Sequence, residues 1–315
     1  METLSPNVQT SGMLSVGDGH ELYYEDWGNP DATPIFHLHG GPGSGGGEQI
    51  KLIYNPKKHR VIFHDQRGAG RSTPYACIEA NTSQHLIADI ERLREHLGIE
   101  SLYVSGGSWG STLALLYALA HPERVQKIML WSLFLGRQSE VDFVNDGRLG
   151  SFFPEAWERF IGLVPPEHRG SGQSIMQYYA DAMHGAEEAR ARTYANEWAL
   201  WESSLLSVNY NKALKEKSVL DDRDNTAVAK IETHYFLNSC FVPENYILDS
   251  ISSISHIPCT LVHGRFDMCT PASTAYELDR AYGDALTLIY VNSGHSSSDP
   301  EMNVALRTTT QLFLT

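Results

Sequence analysis

The sequence lacks an apolar run long enough to cross a membrane. Its longest such run, at 113–120, is far shorter than the ~18 residues that indicate a membrane helix. Basic residues are also few, since 24 Lys and Arg stand against 38 Asp and Glu, giving a formal net charge of −14. An acidic surface repels phosphate backbones and anionic lipids. We therefore expect neither a nucleic acid nor a membrane among its partners.

Cysteine is scarce, and the chain has no Cys-x-x-Cys pair among Cys77, Cys240, Cys259 and Cys269. This spacing matches neither a zinc site nor a thioredoxin-like motif. A chain of 315 residues does not need disulfides for stability, which favours reduced thiols. The N-terminal residues lack a basic stretch followed by an apolar one, so no signal peptide is predicted. These absences predict a soluble, cytoplasmic protein.

Short apolar runs alternate with helical patterns near both ends of the chain. Strands are predicted at 34–38, 60–64, 102–105, 125–131, 259–263 and 286–291. Helices are predicted at 83–97, 111–120, 271–282 and 302–313.

The central part of the sequence differs from the two ends. Residues 137–245 are rich in Trp, Tyr, Glu and Arg in helical patterns, with no convincing strand. Alternation of strands and helices on both sides of this segment predicts an α/β fold with one mostly parallel sheet. We predict that 1–136 and 246–315 form this core domain and that 137–245 is an inserted helical cap.

The strongest motif is Gly-x-Ser-x-Gly at 106–110, centred on Ser108. It lies directly after a predicted strand and directly before a helix that is apolar almost all round. Small residues two positions before and after the serine permit a sharp turn, which exposes the hydroxyl and points the helix N-terminus at it. We interpret Ser108 as a nucleophile, and the alternative is a tight structural turn.

A serine nucleophile needs a general base and a carboxylate that orients the base. In this architecture the chain order is Ser, then Asp or Glu, then His. His295 and Asp267 each follow a predicted strand, which places both at the carboxyl edge of the sheet. These two residues complete the predicted triad. Asp299 is the competing carboxylate, but it precedes a proline at a predicted helix start, where capping explains it.

A glycine-rich loop at 39–43 permits two interpretations. It can supply a backbone amide to an oxyanion, beside the amide of Trp109. It also matches a dinucleotide-binding fingerprint, because Gly41-x-Gly43-x-x-Gly46 follows a strand and Asp65 ends the next one. The second interpretation is disfavoured because a proline interrupts the glycine turn and because it leaves the triad unexplained.

With these motifs assembled, the chain resembles the proline iminopeptidase (prolyl aminopeptidase) family, which are serine peptidases of the α/β-hydrolase fold. The glycine loop and Gly-x-Ser-x-Gly are shared by many hydrolases. More particular are Asp-Gln-Arg-Gly-Ala-Gly-Arg-Ser at 65–72, Glu-Trp-Ala-Leu-Trp-Glu at 197–202 and Ile-Glu-Thr-His-Tyr-Phe-Leu-Asn at 231–238.

The resemblance implies which residues bind the substrate. It implies that the amides of Gly41 and Trp109 bind the oxyanion and that Glu202 and Glu232, both from the cap, bind the charged amino group of the first residue. A desolvated ammonium needs opposite charge, so carboxylates that reach down from the cap restrict binding to peptides with a free N-terminus. From composition alone, each glutamate would instead be assigned to a solvated helix face.

An apolar pocket for the proline ring is expected between Phe134 and Phe236. The chain departs from the family pattern nearby, because Trp131 replaces an arginine near the amine site and Val144 replaces a tyrosine. Thr270 stands where some members have a cysteine. These departures leave the triad intact, but they alter the expected pocket.

The resulting hypothesis is a serine aminopeptidase that releases an N-terminal residue, preferentially proline, from short peptides through an acyl-enzyme. It requires no metal and no cofactor, and its oligomeric state is left open. One alternative is a serine esterase or amidase that acts on small amino-bearing metabolites with the same triad. The other is a catalytically silent binding protein on a hydrolase scaffold.

Overall fold

The computed structural model describes residues 7–184, 187–209, 211–220 and 224–314. The strands in these ranges are β1 (Val8–Gly17), β2 (His20–Gly28), β3 (Pro34–Leu38), β4 (Arg60–His64), β5 (Leu102–Ser108), β6 (Val125–Leu133), β7 (Cys259–Gly264) and β8 (Leu286–Val291). The α-helices are α1 (Ser83–His96), α2 (Trp109–Ala120), α3 (Gln138–Asn145), α4 (Pro154–Gly162), α5 (Gly172–Met183), α6 (Glu188–Leu205), α7 (Lys212–Leu220), α8 (Thr226–Leu237), α9 (Tyr246–Ser250), α10 (Ala272–Tyr282) and α11 (Pro300–Phe313).

All of these strands belong to one sheet in the order β1-β2-β4-β3-β5-β6-β7-β8. β2 is antiparallel to both β1 and β4, whereas every pairing from β4 to β8 is parallel. The predicted α/β class with a mostly parallel sheet is therefore confirmed. Parallel strands leave their carboxyl ends at one edge, where loops from β3, β5, β7 and β8 converge.

The sheet is buried on both faces, as parallel sheets generally are. On β6, Ile128 and Leu130 point into the larger hydrophobic cluster, which includes α1 and α2. Met129 and Trp131 point to the opposite face, into a cluster with residues of α11. Successive side chains of a strand point to opposite faces of the sheet, so neighbouring residues pack in different hydrophobic clusters.

The described helices between β6 and β7 pack on one another around aromatic side chains. The ring of Phe160 on α4 stacks on Tyr179 of α5, with centroids 4.5 Å apart, and on Trp201 of α6 at 5.7 Å. Trp198 of α6 meets the same group edge-on. No strand occurs among residues 137–184, 187–209, 211–220 and 224–245. The bounds of the cap at 137–245 remain a prediction.

Polar contacts fix this helical layer on the sheet domain. On α8, His234 Nε2 donates to the carbonyl of Asn81 over 2.9 Å, and the hydroxyl of Tyr235 donates to Oδ1 of the same asparagine over 2.9 Å. The Tyr235 ring also lies edge-on to Trp109, at 4.8 Å. Residue 235 thus contacts the helix that follows the proposed nucleophile.

The sequence also predicts that the chain has no membrane helix and that its cysteines are reduced. In the part of the chain that the structure covers, we find no helix whose length and apolar character would let it span a bilayer. The four cysteines form no disulfide in that part.

Candidate active site

Ser108 lies at the junction of β5 and α2 in a strained backbone conformation. Its φ of 56° and ψ of −128° fall outside the regions that L-residues favour. The structure starts α2 at Trp109, directly after this residue, rather than at the predicted position 111. The turn is therefore tighter than predicted, and the serine side chain faces a cavity of about 700 Å³.

Glycine is required on both sides of this turn for steric reasons. A Cβ at Gly106 would overlap the carbonyl of Gly110, and a Cβ at Gly110 would overlap the carbonyl of Leu38 on β3. The two glycines therefore let β5 bend sharply into α2 and let α2 approach the neighbouring strand. This packing explains the motif physically.

His295 lies in the loop after β8 and lines the same cavity as Ser108. Its Nδ1 is 2.8 Å from Oδ2 and 3.0 Å from Oδ1 of Asp267, which follows β7. This contact orients the ring and leaves Nε2 for a proton acceptor role. The structure thus pairs His295 with Asp267 and places this pair and Ser108 at the carboxyl edge of the sheet, with Ser108 and His295 facing one cavity.

Asp267 is buried and held in its ionised form by several donors. The backbone amides of Cys269 and Thr270 donate to Oδ1 over 2.9 and 2.8 Å, and the Thr270 hydroxyl donates to Oδ2 over 3.0 Å. Burial alone would raise the pKa of Asp267, but the charge and hydrogen bond of His295 outweigh it and lower this pKa. Thr270 is thus a direct partner of the carboxylate.

The pKa of His295 is raised by its surroundings. Burial acts to lower it, but the charge and hydrogen bond of Asp267, together with the charge of Glu202, prevail. An imidazole with a raised pKa is a stronger base and holds an accepted proton more firmly. This electrostatic arrangement suits a general base that becomes cationic during the reaction.

Asp299 has a different role from the predicted helix cap. It occupies the N-cap position of α11, but its side chain makes no capping hydrogen bond. Instead, Oδ2 accepts from the amide of Gly294 over 3.0 Å, from the Ser293 hydroxyl over 3.2 Å and from the amide of Val208 over 3.3 Å. One carboxylate therefore joins the loop before His295 to the segment after α6.

Replacing Asp299 with Asn should lower the free energy of unfolding by about 1–3 kcal/mol, because charge-assisted hydrogen bonds to a buried loop would be lost. Urea unfolding followed by circular dichroism measures this change. Asp284→Asn, at an exposed position before β8, is the matched control and should shift stability by less than about 0.5 kcal/mol. Equal stability of the two variants would contradict this role for Asp299.

The glycine loop is held against the start of α2 by Gln66. The Gln66 backbone amide donates to His39 Nε2 over 2.9 Å, and its side-chain amide donates to the His39 carbonyl over 2.9 Å. Its Oε1 accepts from the indole nitrogen of Trp109 over 2.9 Å. Gln66 thereby connects the two segments that carry Gly41 and Trp109, the residues expected to bind an oxyanion.

The structure contradicts the dinucleotide-binding interpretation. The glycine loop is followed by a 3₁₀ helix at Glu48–Ile53 rather than by the α-helix that a pyrophosphate site requires. The Asp65 carboxylate, which would bind a ribose, accepts hydrogen bonds from the Gly46 amide over 2.7 Å and from Arg71 over 2.9 Å. This residue instead fixes the glycine loop.

Glu202 on α6 and Glu232 on α8 both line the cavity. Their carboxyl groups share a hydrogen bond, and the Trp198 indole donates to Glu232 Oε2 over 2.6 Å. Burial raises the pKa of Glu202 to about 7, although Glu232 and His295 act in the opposite direction. Burial and the neighbouring Glu202 raise the pKa of Glu232 well above its usual range. Two adjacent carboxyl groups, that of Glu232 buried and that of Glu202 half-buried, form a site that a cation would satisfy.

Phe134 and Phe236 line the cavity and meet edge-on, with centroids 5.9 Å apart. The backbone of Phe134 is tied to the first turn of α2, because its amide donates to Ser111 Oγ over 3.1 Å and its carbonyl accepts from Thr112 Oγ1 over 2.7 Å. Val144 also lines the cavity. The structure thus offers an apolar wall where one was expected.

The expectation that Trp131 alters the pocket is wrong. Its ring stacks on His37, with centroids 5.8 Å apart, and it belongs to the cluster on the α11 face of the sheet. It is absent from the described lining of the cavity. Of the two tryptophans on α6, Trp198 donates its indole N–H to Glu232, whereas Trp201 stacks on Phe160.

The comparisons with known proteins agree with this geometry. Residues 33–301 match the model of the α/β-hydrolase fold family. A proline iminopeptidase of Neisseria gonorrhoeae is 42% identical over 299 residues, which cover 94% of this chain and 93% of the relative. The chain belongs to the proline iminopeptidase family of α/β hydrolases. It is therefore a hydrolase, and the family resemblance seen in its motifs is confirmed.

Other members of the proline iminopeptidase family match over similar lengths. The relative from Arabidopsis thaliana is 40% identical, covering 94% of this chain and 78% of its own length. The crystal structure of the Mycobacterium smegmatis proline iminopeptidase superposes with a TM-score of 0.61 at 18% identity, covering 96% of this chain and 97% of the other. The structure of a thermophilic esterase from Thermogutta terrifontis superposes with a TM-score of 0.67 at 17% identity, covering 97% of this chain and 98% of the other. At such low identity these two structures show the shared fold alone.

Proposed function

We propose that the chain is a serine aminopeptidase that releases the N-terminal residue, preferentially proline, from short peptides with a free N-terminus. One observation carries the proposal: two adjacent carboxyl groups, on Glu202 and Glu232, line the same cavity as Ser108 and His295. The curated relatives at 38–42% identity are named proline iminopeptidases, which supports the same activity.

The proposed reaction begins at Ser108. Its Oγ attacks the first carbonyl carbon of the peptide while His295 Nε2 takes the hydroxyl proton. Asp267 holds the ring by Nδ1 and stabilises the imidazolium that forms. The negative charge that develops on the carbonyl oxygen is accepted by the amides of Gly41 and Trp109, and such preorganised donors contribute several kcal/mol.

The tetrahedral intermediate then collapses. The C–N bond breaks, His295 gives its proton to the leaving amine, and the shortened peptide departs. Water, deprotonated by the same imidazole, attacks the ester on Ser108 and releases the amino acid. Each step uses side chains and backbone amides that lie at the carboxyl edge of the sheet.

The carboxyl groups of the cap select the substrate. An N-terminal ammonium or prolinium between Glu202 and Glu232 is neutralised in a buried site, whereas an acylated amine offers no charge to offset the desolvated carboxylates. Phe134 and Phe236 provide the apolar surface on which a proline ring packs. We therefore expect the site to accept one residue before the scissile bond.

The proposal predicts a bell-shaped dependence of kcat/KM on pH. With a pKa of about 7, Glu202 loses its proton as the pH rises through neutrality, so the affinity for a cationic amine rises. The substrate amine itself loses its charge above a pKa of about 8, so the affinity falls again. Initial rates with prolyl-naphthylamide from about pH 5 to 9 measure both limbs.

Ionisation of His295 contributes to the acid limb and has to be separated from that of Glu202. The rate at which a fluorophosphonate labels Ser108 reports the base alone, because the probe carries no amine. The kcat/KM profile should therefore have a steeper acid limb than the labelling profile. Identical profiles would show that Glu202 does not govern substrate binding.

A panel of aminoacyl-naphthylamides and aryl esters tests the function itself. Free prolyl-naphthylamide should be hydrolysed fastest, and its N-acetyl form should be slower by about 10²-fold or more, because the carboxyl pair loses its cation. Faster hydrolysis of small esters, irrespective of a free amine, would favour the esterase or amidase alternative. No labelling of Ser108 would favour the silent binding protein.

We also propose a cytoplasmic location. The absence of disulfides among the described cysteines supports it, since oxidising compartments favour such bonds. Fractionation of cells that express the tagged chain tests the proposal.

A further inference from the structure

Beside the proposed triad, Cys269 brings a thiol close to two potential metal ligands. One ligand atom from each of Asp267, Cys269 and His295 lies within 4.8 Å of the others. Among the described residues, this is the one cluster of three or more such side chains. The reaction proposed above uses the carboxylate and the imidazole, but it gives no task to the thiol.

The thiol can be reached from solvent through the cavity. Cys269 is half-buried and lines the cavity next to Thr270 and His295. Its backbone amide donates to Asp267 Oδ1 over 2.9 Å, which fixes the start of its side chain beside the carboxylate. A small hydrated ion that enters the cavity would therefore meet the thiol and the imidazole together.

The charge of the cavity favours a cation. Four glutamates, but no lysine or arginine, are among the described residues that line it. The chain as a whole has a formal net charge of −14. Because the pKa values of Glu202 and Glu232 are raised, these two carboxyl groups add negative charge as the pH rises, and the attraction of a cation to the cleft increases with pH.

We propose that Asp267, Cys269 and His295 form an inhibitory site for a thiophilic divalent cation such as Zn²⁺. Thiolate, imidazole and carboxylate are all zinc ligands, whereas Mg²⁺ and Ca²⁺ prefer oxygen alone. Around a tetrahedral zinc ion these ligand atoms lie about 3.3–3.6 Å apart. Since the three ligand atoms lie within 4.8 Å of one another, they would have to approach one another by about 1 Å at most to occupy three positions, leaving the fourth to water.

Binding would remove the general base without any redox change. The thiol gives up one proton to solvent as the sulfur–metal bond forms. If the ion binds Nε2 of His295, it occupies the nitrogen that would accept the Ser108 proton. If it binds Nδ1 instead, the ring proton has to move from Nδ1 to Nε2, which then has no free lone pair. Either mode stops the reaction, and a chelator reverses it.

Titration with ZnCl₂ tests the proposal on the full-length chain. We expect Zn²⁺, but not Mg²⁺, to slow fluorophosphonate labelling of Ser108, and we expect EDTA to restore it. Cys269→Ser should raise the Zn²⁺ concentration for half-inhibition by at least about tenfold, since even the loss of an outer partner of a metal ligand costs that much. Each variant is compared with its own metal-free rate. The control Cys77→Ser, at a half-buried cysteine of the loop before α1, should leave this concentration unchanged.

A spectroscopic measurement on the unmodified chain keeps the test independent of how the variants fold. CoCl₂ should produce a sulfur-to-cobalt absorption band that is lost on addition of Zn²⁺. Absence of this band, or equal Zn²⁺ sensitivity of Cys269→Ser and the unmodified chain, would overturn the proposal. Both readouts omit peptide substrates, so their failure is distinguishable from failure of the aminopeptidase assignment.

Discussion

Ser108→Ala is expected to lower kcat on prolyl-naphthylamide by about 10⁴- to 10⁶-fold, because the acyl bond can no longer form. KM should change little, since the carboxyl pair and the aromatic wall remain. The measurement is steady-state hydrolysis with a parallel fluorophosphonate labelling experiment, in which the variant should not react. An alanine at this position adds no steric bulk, so the fold should persist and circular dichroism checks it.

Ser298→Ala is the matched control for this substitution. Ser298 also lines the cavity but is exposed, and its replacement should leave kcat within about threefold, as is usual for surface changes. Activity of Ser108→Ala within tenfold of the unmodified chain would show that another group is the nucleophile.

Glu232→Gln should reduce kcat/KM for free-amine substrates by about 10²- to 10³-fold, because it removes one charge from a buried ion pair with the substrate. The amide oxygen of glutamine can still accept from the Trp198 indole, so the local packing is retained. Turnover of the N-acetyl substrate should be unaffected. The ratio of the two kcat/KM values therefore measures the loss of selectivity directly.

Glu202→Gln should have a similar effect, and the double variant should lose less than the sum of the two, because the carboxyl groups share one ligand and one hydrogen bond. Glu188→Gln on the same helix as Glu202 is the control, since its side chain is solvent-exposed. If Glu232→Gln kept the preference for free amines, recognition of the N-terminus would have to lie elsewhere in the cavity.

The order of the site along the chain could be predicted from the sequence. Ser108 ends one parallel strand, Asp267 and His295 follow two others, and topology alone brings such positions to one edge. The glycines around Ser108 could be predicted for the same reason, because their role is a backbone approach that no other residue permits. Sequence patterns are therefore sufficient to predict features that depend on backbone geometry, such as strand ends and close backbone contacts.

Side-chain partners could not be predicted in this way. On β6 both faces are apolar, so no alternation of polar and apolar residues assigns Trp131 to one face of the sheet. The sequence therefore does not reveal that Trp131 faces α11 rather than the cavity. Asp299 has the sequence context of a helix cap, yet its side chain turns back to Ser293 and Gly294 in the preceding loop and to Val208, 91 residues away in sequence. The same holds for Gln66, which contacts His39 and Trp109, and for Trp198, which donates to Glu232. In both cases the partners are far away in sequence.

Two hydrogen bonds tie the loop that bears His295 to the segment after α6. The Val208 amide donates to the Asp299 carboxylate, and the Ser296 amide donates to the Leu206 carbonyl over 2.8 Å. These bonds limit which segments of this enzyme can be exchanged with those of its relatives. A chimera that exchanges the helices after β6 for those of another hydrolase would also exchange residues 206 and 208. The loop bearing the imidazole would then lose its support, even though no triad residue had been altered. Transplants of new binding pockets onto this scaffold should therefore retain 206–208 together with 293–299.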